Sequence, residues 1–314
     1  MSKQTKQTKQ IKRKKKITSD TIQLALLAAP AVILTFLFSY MAYFGLILAF
    51  KNYRPAKGLW GSEWVGFKNF EFLLTSNDLA RILKNTLLMN GLFISLGLIA
   101  SVSFALLMYE VKKAWQVKAF QTVAILPHFL SWVVVSFMVY CLLEENNGLV
   151  NQVLVGLGGD AVGWYKHPVY WPFILVIVTL WHGTGMGSII YYSALIGMDA
   201  ELLEAAEIDG ATKLQRVRYI SIPHLIPIMT IKTIMSIGNC FRSDFGLFYN
   251  VPKNLGHLYP TTDVIDTYVY RAMMDLHNYG MSAAASFFQS VVCCIVLLLT
   301  NKIVSKISPE NTLF

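Results

Sequence analysis

Hydrophobic positions in this chain fall in long unbroken runs, without the alternation of polar and apolar faces that a soluble core of this size would show. Six runs stand out: Ile22–Phe50, Ile82–Tyr109, Ala119–Leu143, Tyr170–Gly197, Leu225–Phe248 and Met281–Ile303. About 20 residues at 1.5 Å rise cross the hydrocarbon layer of a bilayer, so each run predicts a membrane-spanning helix. The first run is far too long for the apolar core of a cleaved signal peptide and reads as a retained span with length to spare for tilt. The expected fold is all-α and polytopic, with six transmembrane helices, which puts both ends of the chain on one side.

Composition agrees: 55% of the 314 residues are hydrophobic and 14% charged, against roughly a quarter charged in a soluble domain. The net charge of +9 fits either nucleic-acid binding or the basic bias of cytoplasmic loops, and the apolar runs decide for the second. With the first segment inside, sixteen Lys and Arg fall on the inner side and nine on the outer. Lys/Arg asymmetry sets orientation, so both termini are expected in the cytoplasm. Residues 1–20, with Lys12-Arg13-Lys14-Lys15-Lys16, read as a basic disordered cytoplasmic tail lying on anionic headgroups. Residues 21–314 form the transmembrane domain. Cys141, Cys240, Cys293 and Cys294 sit in apolar runs without metal-ligand spacing and read as small buried hydrophobes, so no metal site is expected.

The cytoplasmic segment 199–223 carries helix signals that a mere connector lacks. Asp199 can cap a helix, with Glu201 in its first turn. Leu202, Ala205 and Ala206 then share a face. Asp209-Gly210 makes a turn, and Thr212-x-x-Gln215 fits a capping box for a second helix, which Pro223 ends before the fifth span. Two alanines at the surface let a partner approach closely. Glu204, Glu207, Asp209, Lys213, Arg216 and Arg218 supply a polar rim, which suits docking into a groove. The alternative is an amphipathic pair resting on headgroups.

Glu204-Ala205-Ala206-x-x-Asp209-Gly210-Ala211, followed by Ile220-x-Ile222-Pro223 and Pro227, resembles the EAA loop of binding-protein-dependent ABC importer permeases. The resemblance extends over 24–72, including Phe50–Gly58 and Trp64–Phe70, over Phe241–Tyr249, and over the ending Ile307–Phe314. These segments are similar to the sugar-permease branch, and within it to permeases for oligosaccharides or polysaccharides. The resemblance implies a type I importer permease of a bacterial cell membrane, with Glu204, Ala205, Ala206, Asp209, Gly210 and Ala211 forming the coupling helix that docks on an ATPase dimer. It also implies a second homologous permease, an extracellular solute-binding lipoprotein and a carbohydrate substrate. ATP and Mg would be held by the ATPase, leaving this chain without cofactor or catalytic residue.

The residues agree with that division of labour: no GxxxxGK[ST] occurs, nor any Gly-Lys pair. No acidic residue sits at the middle of a span, as an ion-driven transporter would want, and no HExxH or GxSxG points to an intramembrane enzyme. Polar groups inside apolar spans are costly and functional by default. Asn239, Arg242, Asp244 and Gln289 are therefore candidates for the translocation path, the alternative being hydrogen bonds that fix helix packing. Lys232 is expected to reach toward the inner surface. Gly183 and Gly187 predict close packing, and His182 a hydrogen-bonded histidine. Tyr259, Asp263, Asp266, Tyr268, Tyr270 and Arg271 fit either sugar recognition or an interfacial aromatic belt.

Overall fold

The structure, a computed structural model, describes residues 19–71 and 77–308. The basic run 12–16 and nearly all of the ending 307–314 lie outside the described residues. Two compact units divide the chain, residues 1–47 and 48–314.

In the first unit, helix α1 (Ser19–Thr35) runs on through a widened turn, Phe36–Tyr40, into a tightly wound stretch, Met41–Phe50. Its large apolar side chains, such as Leu24, Leu27 and Phe38, are exposed. A helix apolar all round that presents such side chains needs lipid or protein against it.

The second unit opens with a small hairpin, in which β1 (Lys51–Asn52) pairs antiparallel with β2 (Glu63–Trp64). The Lys51 ammonium donates to the carbonyls of Leu59 and Trp60, and the Asn69 amide donates to those of Ala49 and Lys51. Helices follow: α2 (Asn77–Tyr109), α3 (Ala114–Ile125), α4 (Trp132–Leu143), α5 (Leu149–Gly156), α6 (Trp171–Ile196), α7 (Ala200–Ile208), α8 (Lys213–Arg216), α9 (Ile222–Gly238), α10 (Phe245–Asn250), α11 (Ile265–Met274) and α12 (Tyr279–Ile307). Rings of the hairpin region seat on α12: Phe50 and Phe70 both meet Phe287 edge-on, at 5.5 and 6.0 Å between centroids.

Among the described residues, five segments are long and apolar enough to cross a membrane: Ile22–Phe50, Asp78–Tyr109, Pro168–Ile196, Lys213–Gly238 and Tyr279–Lys306. A sixth exists only if α3 and α4, bent by 100°, count as one span. The expected single helix Ala119–Leu143 is thus broken. Pro127 opens a tight turn, Leu126–Phe129, and Leu130 and Ser131 are extended. The Ser131 hydroxyl then accepts from the Val134 N–H and starts α4 afresh.

The fifth run also departs from expectation. Pro223 does not end a helix. A widened turn, Val217–Ser221, carries α8 straight into α9, with Ile222 helical and Pro223 in the first turn of α9. The turn before the proline is widened, and the rod from Lys213 to Gly238 continues past it. At the far end the run Leu225–Phe248 is interrupted after Gly238, and α10 restarts it only at Phe245.

Two buried clusters hold the helices. Val102, Ala105, Tyr191, Leu195 and Leu225 join α2, α6 and α9 near the 199–221 loop. Met89, Val135, Trp171, Leu175, Leu247 and Val264 join five segments toward the opposite end. At Gly185 an added Cβ would lie 2.0 Å from the Ala124 carbonyl oxygen, so α3 and α6 touch backbone to backbone there. Of the two glycines expected to pack, an added Cβ at Gly187 would lie 2.6 Å from the Ser101 hydroxyl, whereas one at Gly183 would meet nothing within 4 Å.

Candidate functional site

The segment 199–221 folds as a helix, a left-handed turn and a second helix. Asp199 accepts from the Glu201 N–H at 3.0 Å and starts α7. At its end the N–H of Ala211 reaches back to the Ala206 carbonyl at 2.9 Å, a closure that needs Gly210 at φ +78°. Thr212 and Gln215 complete the capping box in both directions. The two helices are clamped by Arg216 and Glu207 at 2.8 Å, and Lys213 reaches Glu110 at the end of α2 at 3.1 Å.

The clamp fixes which side faces outward. Glu204, Ala205, Asp209 and Gly210 are exposed, while Ala206 and Ala211 are half-buried. Leu202 and Ala205 point outward together, without Ala206, because α7 turns its Leu203–Ala206 side inward. Ile208 is 86% exposed, and Leu214 and Tyr219 also stand free. An apolar group with an acidic border at a helical elbow has the make-up of a docking surface.

A second polar group occupies the gap between α9 and α10. The Asn90 amide of α2 donates to the Cys240 carbonyl at 2.9 Å and the Ser243 hydroxyl at 3.0 Å. The Gln289 amide of α12 donates to the Phe241 carbonyl and to Asp266 of α11. Asp266 also accepts the Ser243 N–H at 2.7 Å. Asp244 caps α10 through the Leu247 N–H and accepts the Trp132 indole N–H of α4 at 2.8 Å. Arg242 donates to Ser290 at 3.1 Å, and the Asn239 amide donates to the Met235 carbonyl. Side chains from three other helices, α2, α11 and α12, thereby satisfy the backbone that the break sets free, as a break within an apolar layer demands. Burial pushes the Asp266 carboxyl up from its ordinary value, and the Ser243 N–H and Gln289 amide offset part of that rise.

The predicted path residues divide. Gln289 is buried inside this joint, and Asp244 closes it; both have structural partners. Asn239 and Arg242 remain exposed. Asn90, Ser243, Trp132 and Asp266 belong to the joint although none was expected there. For Asn90 the signal existed, an amide in the middle of an apolar run. His182 meets the Leu130 carbonyl at 3.2 Å and stacks on Trp132 at 4.2 Å, so it serves the broken third span.

Lys232 lines a cavity of about 270 Å³ between α2, α6 and α9, together with Phe93, Gly97, Thr184 and Ser236. In the 249–279 segment, Asp263 is buried between Arg271 at 2.6 Å and Arg81 at 3.5 Å, and Arg271 lies over Tyr259 at 4.2 Å. These residues bind one another, which makes the cluster a structural brace.

A chain of apolar helices, two of them broken and repaired by side chains, with a clamped helical elbow at one end, is the architecture of a membrane transport subunit. Residues 94–309 match the family described as binding-protein-dependent transport system inner membrane component, and the chain belongs to that family. It is 31% identical to the polygalacturonan/rhamnogalacturonan transport system permease protein YteP of Bacillus subtilis (strain 168), over 92% of this chain and 89% of that protein. It is 32% identical to Protein LplB of the same organism, over 92% and 90% of the two chains. Among solved structures it resembles a chain of a bacterial ABC transporter involved in the import of the acidic polysaccharide alginate, with TM-score 0.83, 31% identity and coverage of 93% and 98%. A second structure of the alginate transporter, in complex with alginate pentasaccharide-bound periplasmic protein, matches at the same TM-score and identity.

Proposed function

We propose that this chain forms half of the translocation path of an ATP-driven importer for a carbohydrate, an oligosaccharide handed over by an extracellular solute-binding protein. The other half is a second homologous permease. The energy comes from a cytoplasmic ATPase dimer, which holds ATP and Mg. The elbow at 199–221 carries the reading: its outward side offers Glu204, Ala205, Asp209 and Gly210 beside exposed Ile208 and Leu214, while ion pairs lock its inner side to the helices that cross the membrane. Such a lever transmits force only if a partner grips it. The Lys/Arg distribution supports placing it, and both termini, in the cytoplasm. The names of the similar permeases and the alginate complex support a carbohydrate and a binding protein.

The test replaces Gly210 by Asp, or Glu204 by Lys together with Ala205 by Arg, in the assembled transporter. Insertion into the membrane is expected to be normal, while co-purification of the ATPase and substrate-stimulated ATP hydrolysis in liposomes are lost. Full coupling in both variants refutes the docking role.

A further inference from the structure

One side of α9 is polar where the rest of the helix is apolar. Lys232 and Ser236 are one turn apart on one side of the helix, Asn239 caps its end, and Arg242 follows in the gap beyond. Lys232, Asn239 and Arg242 are exposed, whereas Leu225, Ile234 and Gly238 on the other side are buried. Lipid does not accept a row of ammonium, hydroxyl, amide and guanidinium groups, so this side faces water or protein. Lys232 stands at the level of Phe93–Ser101, around the middle of the 33-residue α2.

The cavity before it has a one-sided chemistry. Its polar lining consists of hydroxyls, those of Ser101, Thr179, Thr184, Tyr191, Thr233 and Ser236, and the lysine; no carboxylate lines it. The Thr179 hydroxyl is shielded and has no hydrogen-bond partner, which leaves a donor at the cavity wall. Among the described residues no carboxylate pairs with Lys232 and no acceptor takes its protons. Arg242 differs: it bonds Ser290, and its charge acts on Asp266. A volume of about 270 Å³ lies just under the usual range for small-ligand sites, which starts at roughly 300 Å³. That is room for one sugar ring at a time.

We propose that Lys232 is the carboxylate-recognising cation of the path and that the substrate is an anionic, uronate-bearing oligosaccharide. The inference rests on the transport reading above. A mid-membrane ammonium without counter-ion is a standing cost that a passing carboxylate relieves, and the surrounding hydroxyls suit the remaining sugar oxygens. A neutral sugar would leave the ammonium unpaired. The names of two of the similar transporters point the same way: alginate is an acidic polysaccharide, and polygalacturonan is a chain of uronates.

Two measurements on the assembled transporter separate the two readings. First, Lys232→Cys and Asn239→Cys are made in a background with the four native cysteines replaced by alanine, and a charged, membrane-impermeant thiol reagent is applied. Labelling places the row on an aqueous path; absence of labelling at both positions overturns the path and the inference with it. Second, binding of trigalacturonate and of its methyl-esterified counterpart to the solubilised transporter, without the binding protein, is compared. The wild type is expected to prefer the free acid by about ten-fold or more, as one charge-assisted hydrogen bond allows. Lys232→Gln is expected to lose that preference and Lys232→Arg to keep it. Labelling at Lys232→Cys with equal binding of acid and ester in the wild type overturns the anionic substrate and leaves the path standing.

Discussion

Two glycines in one turn of α6 are expected to respond oppositely to the same substitution. A Cβ at Gly185 lies 2.0 Å from the Ala124 carbonyl oxygen, 2.3 Å from its carbon and 2.8 Å from the Ile125 nitrogen. A relaxed carbon–oxygen contact needs about 3.3 Å, so Gly185→Ala forces α3 and α6 apart by about 1.3 Å. All three atoms are backbone, and no rotamer change relieves the clash. Overpacking of this kind costs about 1–3 kcal/mol, and a rigid wall puts it at the upper end. At Gly183 the added methyl meets nothing within 4 Å, and alanine is the better helix former by about 1 kcal/mol. Thermal denaturation of the detergent-solubilised transporter, followed by fluorescence size exclusion, reads the difference. At about 2 °C per kcal/mol for a chain of this size, Gly185→Ala should melt about 6 °C lower and Gly183→Ala at or slightly above the wild type. If Gly183→Ala melts lower while Gly185→Ala matches the wild type, the close approach lies elsewhere and the reasoning from these distances is wrong.

Two further outcomes test the elbow and the joint. Gly210 is at φ +78° with nothing near its Cβ, so for an uncharged side chain conformation decides there: Gly210→Asn, which tolerates the left-handed region and adds no charge to the docking surface, should retain substrate-stimulated ATP hydrolysis, while Gly210→Val should lose most of it. The Asp266 carboxyl is raised by burial in the folded chain, so the stability it contributes is full below the unfolded carboxyl value of about 3.9 and is lost as pH rises through the raised folded value. The melting temperature should therefore fall over that interval, and Asp266→Asn should flatten the slope; an unchanged slope in the variant removes Asp266 as its source.

The readable parts of this fold were those set by local chemistry. The Asp199 cap, the Gly210 turn and the Thr212–Gln215 box each involve neighbours within a few residues, and all three form. The spans on α2, α6 and α12 declared themselves by length and apolarity alone. The breaks did not, because nothing in the hydropathy of Ala119–Leu143 marks Leu130 and Ser131 as extended. The Leu130 carbonyl freed at that break meets His182, fifty-two residues away. In the fifth run, Asn239, Arg242 and Asp244 were noticed as polar groups inside a helix, whereas the helix stops where they begin. The polarity was not an intrusion into a span but the repair of a gap in one, and its partners Asn90, Asp266 and Gln289 come from three other helices that no local pattern brings together.

The elbow and the joint sit at the two ends of one rod. From Lys213 to Gly238 the chain is 26 residues of continuous helical turn, about 39 Å at 1.5 Å per residue. Backbone hydrogen bonds run along it except at Pro223 and Pro227, which lack the N–H donor, so it moves as a body and does not stretch. At the 199–221 end it is tied to α2 through Lys213 and Glu110, and at the far end it enters the gap held by side-chain bonds from Asn90, Gln289 and Ser290. Side-chain bonds to a non-helical strand of backbone can exchange partners one at a time, whereas a helix ladder yields only by breaking cooperatively. Displacement of the elbow should therefore appear at the joint and not within the rod. Probe pairs test this in the assembled transporter: the distance from position 213 to 235 should be the same in the nucleotide-free and ATP-bound states, and the distance from 235 to 255 should change. A change confined to the first pair would place the flexing in the widened turn Val217–Ser221, and the joint would then be a brace and not a hinge.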